Sequence, residues 1–255
     1  MIIREREHEY VFISQHDHAN LSGKIARQFK GNFFQSDDFM KDAITAVYEH
    51  DRGWIKLDQA PIWNEQEKGP FSFAQYPLTP KLIHYKLGLE EVQDISKYAA
   101  LLCSMHYCSF FSTAKDKKSK AFLRSEKKRQ EQLREKIDGI DYKLLNQHFR
   151  LLQVCDDLSL YVCFNEPGTS KENEHPWFKE GFRKSELFND GQHSLCSTWV
   201  DDETISVTGF PFVKEFEANL DYRVVSKVDI VTKGLEQAYL TSSVYKQRLR
   251  FVPAQ

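Results

Sequence analysis

No run of apolar residues in this chain is long enough for a membrane span, and the opening MIIREREHEY puts charges where a secretory signal needs an apolar core. Neither sign of charge dominates: 35 basic residues face 37 acidic ones, so no global field draws the chain to nucleic acid or to an anionic membrane. Any polyanion site has to be local. Cysteine is scarce and odd in number, the five being Cys103, Cys108, Cys155, Cys163 and Cys196 with no CxxC pair, which argues against a disulfide framework and for reduced thiols in a cytoplasmic protein. Internal repeats, a glycine-rich phosphate loop, a Ser-His-Asp signature and a long acidic tail are also missing. The expected partner is therefore a small molecule, with no nucleic acid and no membrane.

What is present is an ordinary globular composition, 41% hydrophobic and 28% charged over 255 residues, enough for one large domain or a domain with an appendage. Short strands are expected at 2–3 and 10–13 around the charged Arg4-Glu5-Arg6-Glu7. Leu21, Ile25, Ala26 and Phe29 recur at helical spacing, predicting a helix over 18–30 capped by Ser14 or Asp17. A second helix follows Asp37-Asp38 and runs through Met40, Ala43, Ile44 and Val47 to His50. Residues 53–80 combine many prolines with Trp54, Trp63, Phe71, Phe73 and Tyr76, which predicts an ordered aromatic loop. Beyond it a short helix is expected at 82–89, then a central one at 95–106 begun by Asp94 or Ser96. The block 115–138 reads as a mobile basic loop leading into a solvated amphipathic helix, and 141–163 as a further helix with a broad apolar face. After residue 165 the pattern becomes strand-like. A hairpin turns at Asp201-Asp202, and 222–228 and 244–251 alternate as strands of an antiparallel sheet. Within it Gly209-Phe210-Pro211-Phe212 is expected to serve ordinary sheet packing.

The residues with chemistry fall in four segments: Gln15-His16-Asp17-His18, His50-Asp51-Arg52-Gly53-Trp54, Ser104-Met105-His106 and Cys155-Asp156-Asp157. An isolated His50-Asp51 pair reads most simply as a half-buried polar residue beside a capping acid. Imidazole and carboxylate at one helix end can also share a divalent ion, and the other segments supply further ligands for it. An acid inside the apolar face at Asp156 or Asp157 is costly unless it is paired or bound to a cation. Asp58 is the most plausible acid of the aromatic loop, and Arg52 is either a phosphate contact or an exposed turn charge.

The strings QHDHA, HDRGW, SMHY and CDDLSL together resemble the HD superfamily of metal-dependent phosphohydrolases over roughly residues 15–163, and are most similar to an uncharacterised bacterial family of unknown function, DUF3891. The resemblance implies an α+β protein with a mostly helical HD-like core, an N-terminal hairpin and a C-terminal antiparallel sheet. It implies a metal-binding domain at 1–165 with a β-rich region, 166–255, packed on it. The implied metal ligands are His18, His50, Asp51 and Asp156, with His106 and His16 available for a second ion. His18 is preferred to His16, which is expected to lie before the helix, and Asp156 to Asp157, which is expected to face solvent. The ion would be Mn, Fe, Zn or Mg, the substrate a nucleotide or other small phosphate ester, and the catalytic candidates His106, Asp58 and Arg52. Trp54, Asp58, Trp63 and Phe73 would surround the cleft. One departure is Trp54, which stands where many cyclic-dinucleotide phosphodiesterases of the superfamily have a lysine. The alternatives are a di-iron oxygenase on the same fold, and a ligand-binding protein without catalysis.

Overall fold

The computed structural model describes residues 1–255. Its first helix, α1 (Gln15–Ala26), begins earlier than its apolar spacing predicts because Ser14 Oγ accepts the Asp17 N–H at 3.0 Å and caps it. His16 consequently lies in the first turn and not before it. Helix α2 (Met40–Glu49) starts after Phe39 in a left-handed conformation, without a side-chain cap from Asp37 or Asp38, and His50 is its C-cap. The expected short helix at 82–89 is the middle of an 18-residue α3 (Leu78–Ile95). Pro80 sits in its first turn, where the missing N–H has no helical partner to lose.

Ser96, not Asp94, caps α4 (Lys97–Phe110) through the Ala99 N–H. Asp116 caps α5 (Lys117–Arg134) by accepting the Ser119 N–H at 2.8 Å, so the basic stretch expected as a loop is helical from Lys117. Helix α6 (Tyr142–Phe164) follows, capped by Asp141. Helices α1, α2, α4 and α6 pack on one another, with α3 and α5 outside α4. No helix is long and apolar enough to cross a membrane.

The strands are β1 (Ile2–Glu5), β2 (Glu9–Ile13), the two-residue pair β3 (Trp63–Asn64) and β4 (Gly69–Pro70), then β5 (Ser197–Trp199), β6 (Thr204–Val207), β7 (Phe216–Ser226) and β8 (Val244–Pro253). Six of them form one sheet in the order β1-β2-β7-β8-β6-β5. It is mixed, because β8 returns between β7 and β6 and pairs parallel to β6, where a wholly antiparallel sheet was expected. The N-terminal hairpin belongs to this same sheet, with Tyr10 opposite Val225, so the chain's two ends close one structure across residue 165. Strand β7 stops at Ser226, which starts α7 (Lys227–Lys233), and α8 (Leu235–Thr241) leads into β8.

Strand β2 is apolar on both faces because both are covered. Val11 and Ile13 enter a core of 48 buried side chains that runs from Ile2 to Phe251, while Tyr10 and Phe12 meet Tyr239 of α8 on the other side. Each such aromatic or aliphatic side chain contributes roughly 1.5–3 kcal/mol on burial.

Two glycines fix the segment after α2. A Cβ on Gly88 of α3 would lie 2.4 Å from the Gly53 nitrogen, and one on Gly53 would lie 2.8 Å from the His84 carbonyl oxygen. Gly88 is thus the point of backbone contact between α3 and the 3-10 turn Arg52–Trp54, and does not weaken its helix into a break. Substituting Gly88→Ala should lower stability by about 1–3 kcal/mol in urea unfolding, since backbone on both sides cannot move aside. An unchanged midpoint would mean that α3 does not lie against this turn.

Candidate metal centre

Four helices bring their polar residues to one buried point. His18 lies in the first turn of α1, His50 and Asp51 end α2, His106 belongs to the third turn of α4, and Asp156 to the middle of α6. His18 and His50 are fully buried. Their Nε2 atoms are 3.2 Å apart, and Asp156 Oδ1 lies 2.9 Å from the first and 3.3 Å from the second. Asp51 Oδ2 is 3.7 Å from His18 Nε2 and 3.6 Å from His50 Nε2. His106 Nε2 stands 3.3 Å from Asp156 Oδ2, and neither of its ring nitrogens has a hydrogen-bond partner. Two overlapping groups can each hold an ion: His18, His50 and Asp51, and His50, His106 and Asp156.

The outer ring nitrogens fix the tautomers. His50 Nδ1–H donates to the Val47 carbonyl oxygen at 2.7 Å. Ser159 gives its proton to the Asp156 carbonyl oxygen at 2.9 Å and so accepts from His18 Nδ1–H at 2.8 Å. Both imidazoles therefore turn an Nε2 lone pair toward the other and toward two carboxylates. Such a convergence is repulsive without a cation among the four groups, so this donor set fits a divalent metal. In the metal-free protein a proton substitutes: burial pushes the His50 pKa down, but the Asp51 and Asp156 carboxylates overcome it and raise it to about 9. Burial likewise works to raise Asp156, and the imidazoles of His106, His18 and His50 hold its carboxyl well below the usual range.

Residues 1–227 match the sequence family described as proteins of unknown function, DUF3891. The chain belongs to that family. No curated protein and no solved structure matches it. The match to the DUF3891 family covers every residue of the buried cluster.

Other residues singled out from the sequence lie elsewhere. His16 is half-buried on a separate groove beside Asp17 and Asp58, away from the cluster. Asp58 pairs with the Met1 ammonium at 2.7 Å and accepts the Gln15 N–H at 2.7 Å, so its charge serves the start of α1. The Arg52 guanidinium is held by Glu49 at 2.9 Å and Glu91 at 2.8 Å on the α3 side. Trp63 is carried by β3 to the small cluster containing Tyr10 and Tyr239 and does not border the cleft. Gly209–Phe212 forms sheet-side packing, with Phe212 against Phe29 and Phe216. Asp157 is half-buried on the cleft wall where bulk solvent was expected. There burial, then the Asp156 charge, push its pKa up to about 7 against the pull of Arg183.

The cleft above the cluster has two lobes. One, of about 330 Å³, is aromatic, with Trp54, Phe73, Tyr85, Phe111 and Trp177. The other, of about 470 Å³, is polar, with Ser109, Ser112, Thr113, Gln153 and Lys184. His106, Phe110, Asp156, Asp157 and Arg183 border both. Ser159 stands in the CDDLSL string with no role assigned to it there, although its position three residues after Asp156 places it on the same helix face. Arg183 carries no motif that could have revealed it.

Two outcomes follow. Ser159→Ala, which frees the His18 ring, should weaken metal affinity about 10–100-fold in chelator competition; unchanged affinity would remove Ser159 from the centre. Because the His50 pKa is raised, its stabilisation of the chelator-treated protein is complete below about pH 6.5 and is lost as pH rises through about 9. The rise from 6.5 to about 9 corresponds to about 3 kcal/mol. Urea unfolding of chelator-treated protein should show that loss between pH 6 and 9, and His50→Gln should abolish the pH difference.

Proposed function

We propose that this chain is a metal-dependent phosphohydrolase with an HD-type centre, acting in the cytoplasm on a nucleotide or other small phosphate ester. The observation that carries the reading is the convergence of the His18 and His50 Nε2 lone pairs with Asp51 and Asp156, in the order His, His-Asp, Asp along the chain. These four residues would hold the ion, and imidazole with carboxylate suits Mn, Fe or Zn better than Mg. Bound there, a divalent ion would supply a Lewis acid for a phosphoryl oxygen and lower the pKa of water.

The chain's own groups supply the rest. His106, its Nδ1 without a partner and its Nε2 facing Asp156 Oδ2 at 3.3 Å on the cleft floor, can hold the proton that a departing oxygen needs, or ligate a second ion. Asp156, held ionised, orients the three imidazoles around it. Trp54, Tyr85 and Phe110 exclude water from one side, which strengthens the electrostatics of the reacting group. Asp58 and Arg52 take no part in this scheme, since their charges are engaged away from the cleft. The five unpaired cysteines, three of them buried, suit a reducing compartment.

Elemental analysis of purified protein, followed by a screen of phosphorylated metabolites, tests the reading. His50→Ala and Asp51→Ala should each abolish metal retention and phosphate release while circular dichroism keeps its helical signal. Wild-type metal stoichiometry in His50→Ala would sink the assignment. Iron with an oxygen-dependent absorbance change, and no phosphate release, would favour the oxygenase alternative instead.

A further inference from the structure

The cluster lies where the two lobes of the cleft meet, since His106 and Asp156 border both. A terminal phosphate ester carries one substituent and fills one lobe. A phosphoryl group with two substituents fills both, and the lobes differ enough to accept different ones. Gln15, 3% exposed, lines the aromatic lobe, and its Oε1 has no hydrogen-bond partner. In the polar lobe Ser109, Ser112, Thr113 and Gln153 offer hydroxyl and amide groups.

Arg183 stands at the junction and makes no hydrogen bond or ion pair within the chain, though Asp157 shares the same wall. Its segment is held in place. Phe182 is buried and its N–H donates to the Leu195 carbonyl oxygen at 2.8 Å, while Ser185 Oγ donates to the Phe182 carbonyl oxygen at 2.6 Å. Lys184 between them is left-handed, with φ 61°, a conformation a lysine keeps only where its surroundings impose it. The exposed Arg183 side chain extends from this held backbone, and its planar guanidinium matches two oxygens of one phosphoryl group.

Resting on the phosphohydrolase reading, we infer that the substrate is a phosphodiester with a ring-bearing arm in the aromatic lobe and a polar arm in the other, and that Arg183 grips its phosphoryl oxygens. In hydrolysis one P–O bond forms to water and one breaks. The departing oxygen takes a proton, giving a monoester and an alcohol.

The test compares thymidylyl-(3′→5′)-thymidine with thymidine 5′-monophosphate, which lacks the second arm. Calorimetric titration of the chelator-treated protein should show the diester binding about tenfold tighter or more, the scale of one or more added hydrogen bonds. Arg183→Ala should weaken both ligands, since both carry phosphoryl oxygens, Arg183→Lys should restore part of that binding, and Gln153→Ala should weaken the diester alone. Equal binding of the two, or binding of both untouched by Arg183→Ala, would overturn the inference. If the metal-loaded protein hydrolyses neither compound while the diester preference and the effect of Arg183→Ala persist, the two-armed ligand stands and the hydrolase reading falls. If it releases phosphate from the monophosphate and shows no preference in binding, the hydrolase reading stands and this inference falls.

Discussion

Two imidazole lone pairs and two carboxylates cannot share a buried point without a positive charge among them, and the architecture around His18, His50, Asp51 and Asp156 exists under that constraint. Each group is held from behind. His50 is fixed by the Val47 carbonyl, His18 by Ser159, and Asp156 by the imidazoles around it. Such supports keep these side chains from turning away to relieve their repulsion, so the cluster could hold a cation, and without one the positive charge is a proton on His50.

Holding four helices to one point requires close contacts that ordinary side chains would block. Gly53 and Gly88 let α3 touch the turn directly after Asp51, which sets where that carboxylate can point. Asp58, tied to the Met1 ammonium and to the first N–H of α1, links the loop after this turn to the helix that carries His18. The sheet then closes over α1 and α6, and its strands come from both ends of the chain. Distant parts of the sequence thereby hold one buried His/Asp cluster in place.

His18, His50, Asp51 and Asp156, which converge and could hold an ion, were legible because each stands in a local pattern: an acid in an apolar helix, a His-Asp pair ending one, histidines at helical spacing. What was not legible depends on partners remote in sequence. Arg52 looked available for phosphate until α3, expected to be short, proved long enough to bring Glu91 to it. Asp58 looked like a loop acid with no visible partner, and its partner is the first residue of the chain. Trp63 belonged by composition to the aromatic wall, but a two-residue strand pair turns it to the opposite side of the sheet. The parallel pairing of β6 with β8 left no mark in strand alternation, since alternation reports which face is dry and not which neighbour is bonded.

The cleft is lined by several polar groups that lack hydrogen-bond partners within the chain. Around the helical core, Arg6 is matched by Glu166, Arg52 by Glu49 and Glu91, Arg129 by Glu126, and Asp58 by the Met1 ammonium. Beside the cleft, His106 Nδ1 and the buried Gln15 Oε1 lack hydrogen-bond partners, as buried atoms of Tyr107 and His148 also do elsewhere, and the exposed Arg183 makes no ion pair. Each unpaired buried polar atom costs about 1–3 kcal/mol, a cost that falls on His106 and Gln15 and not on Arg183. Their place around one cavity, beside imidazoles and carboxylates that could hold a cation, is what a binding site requires.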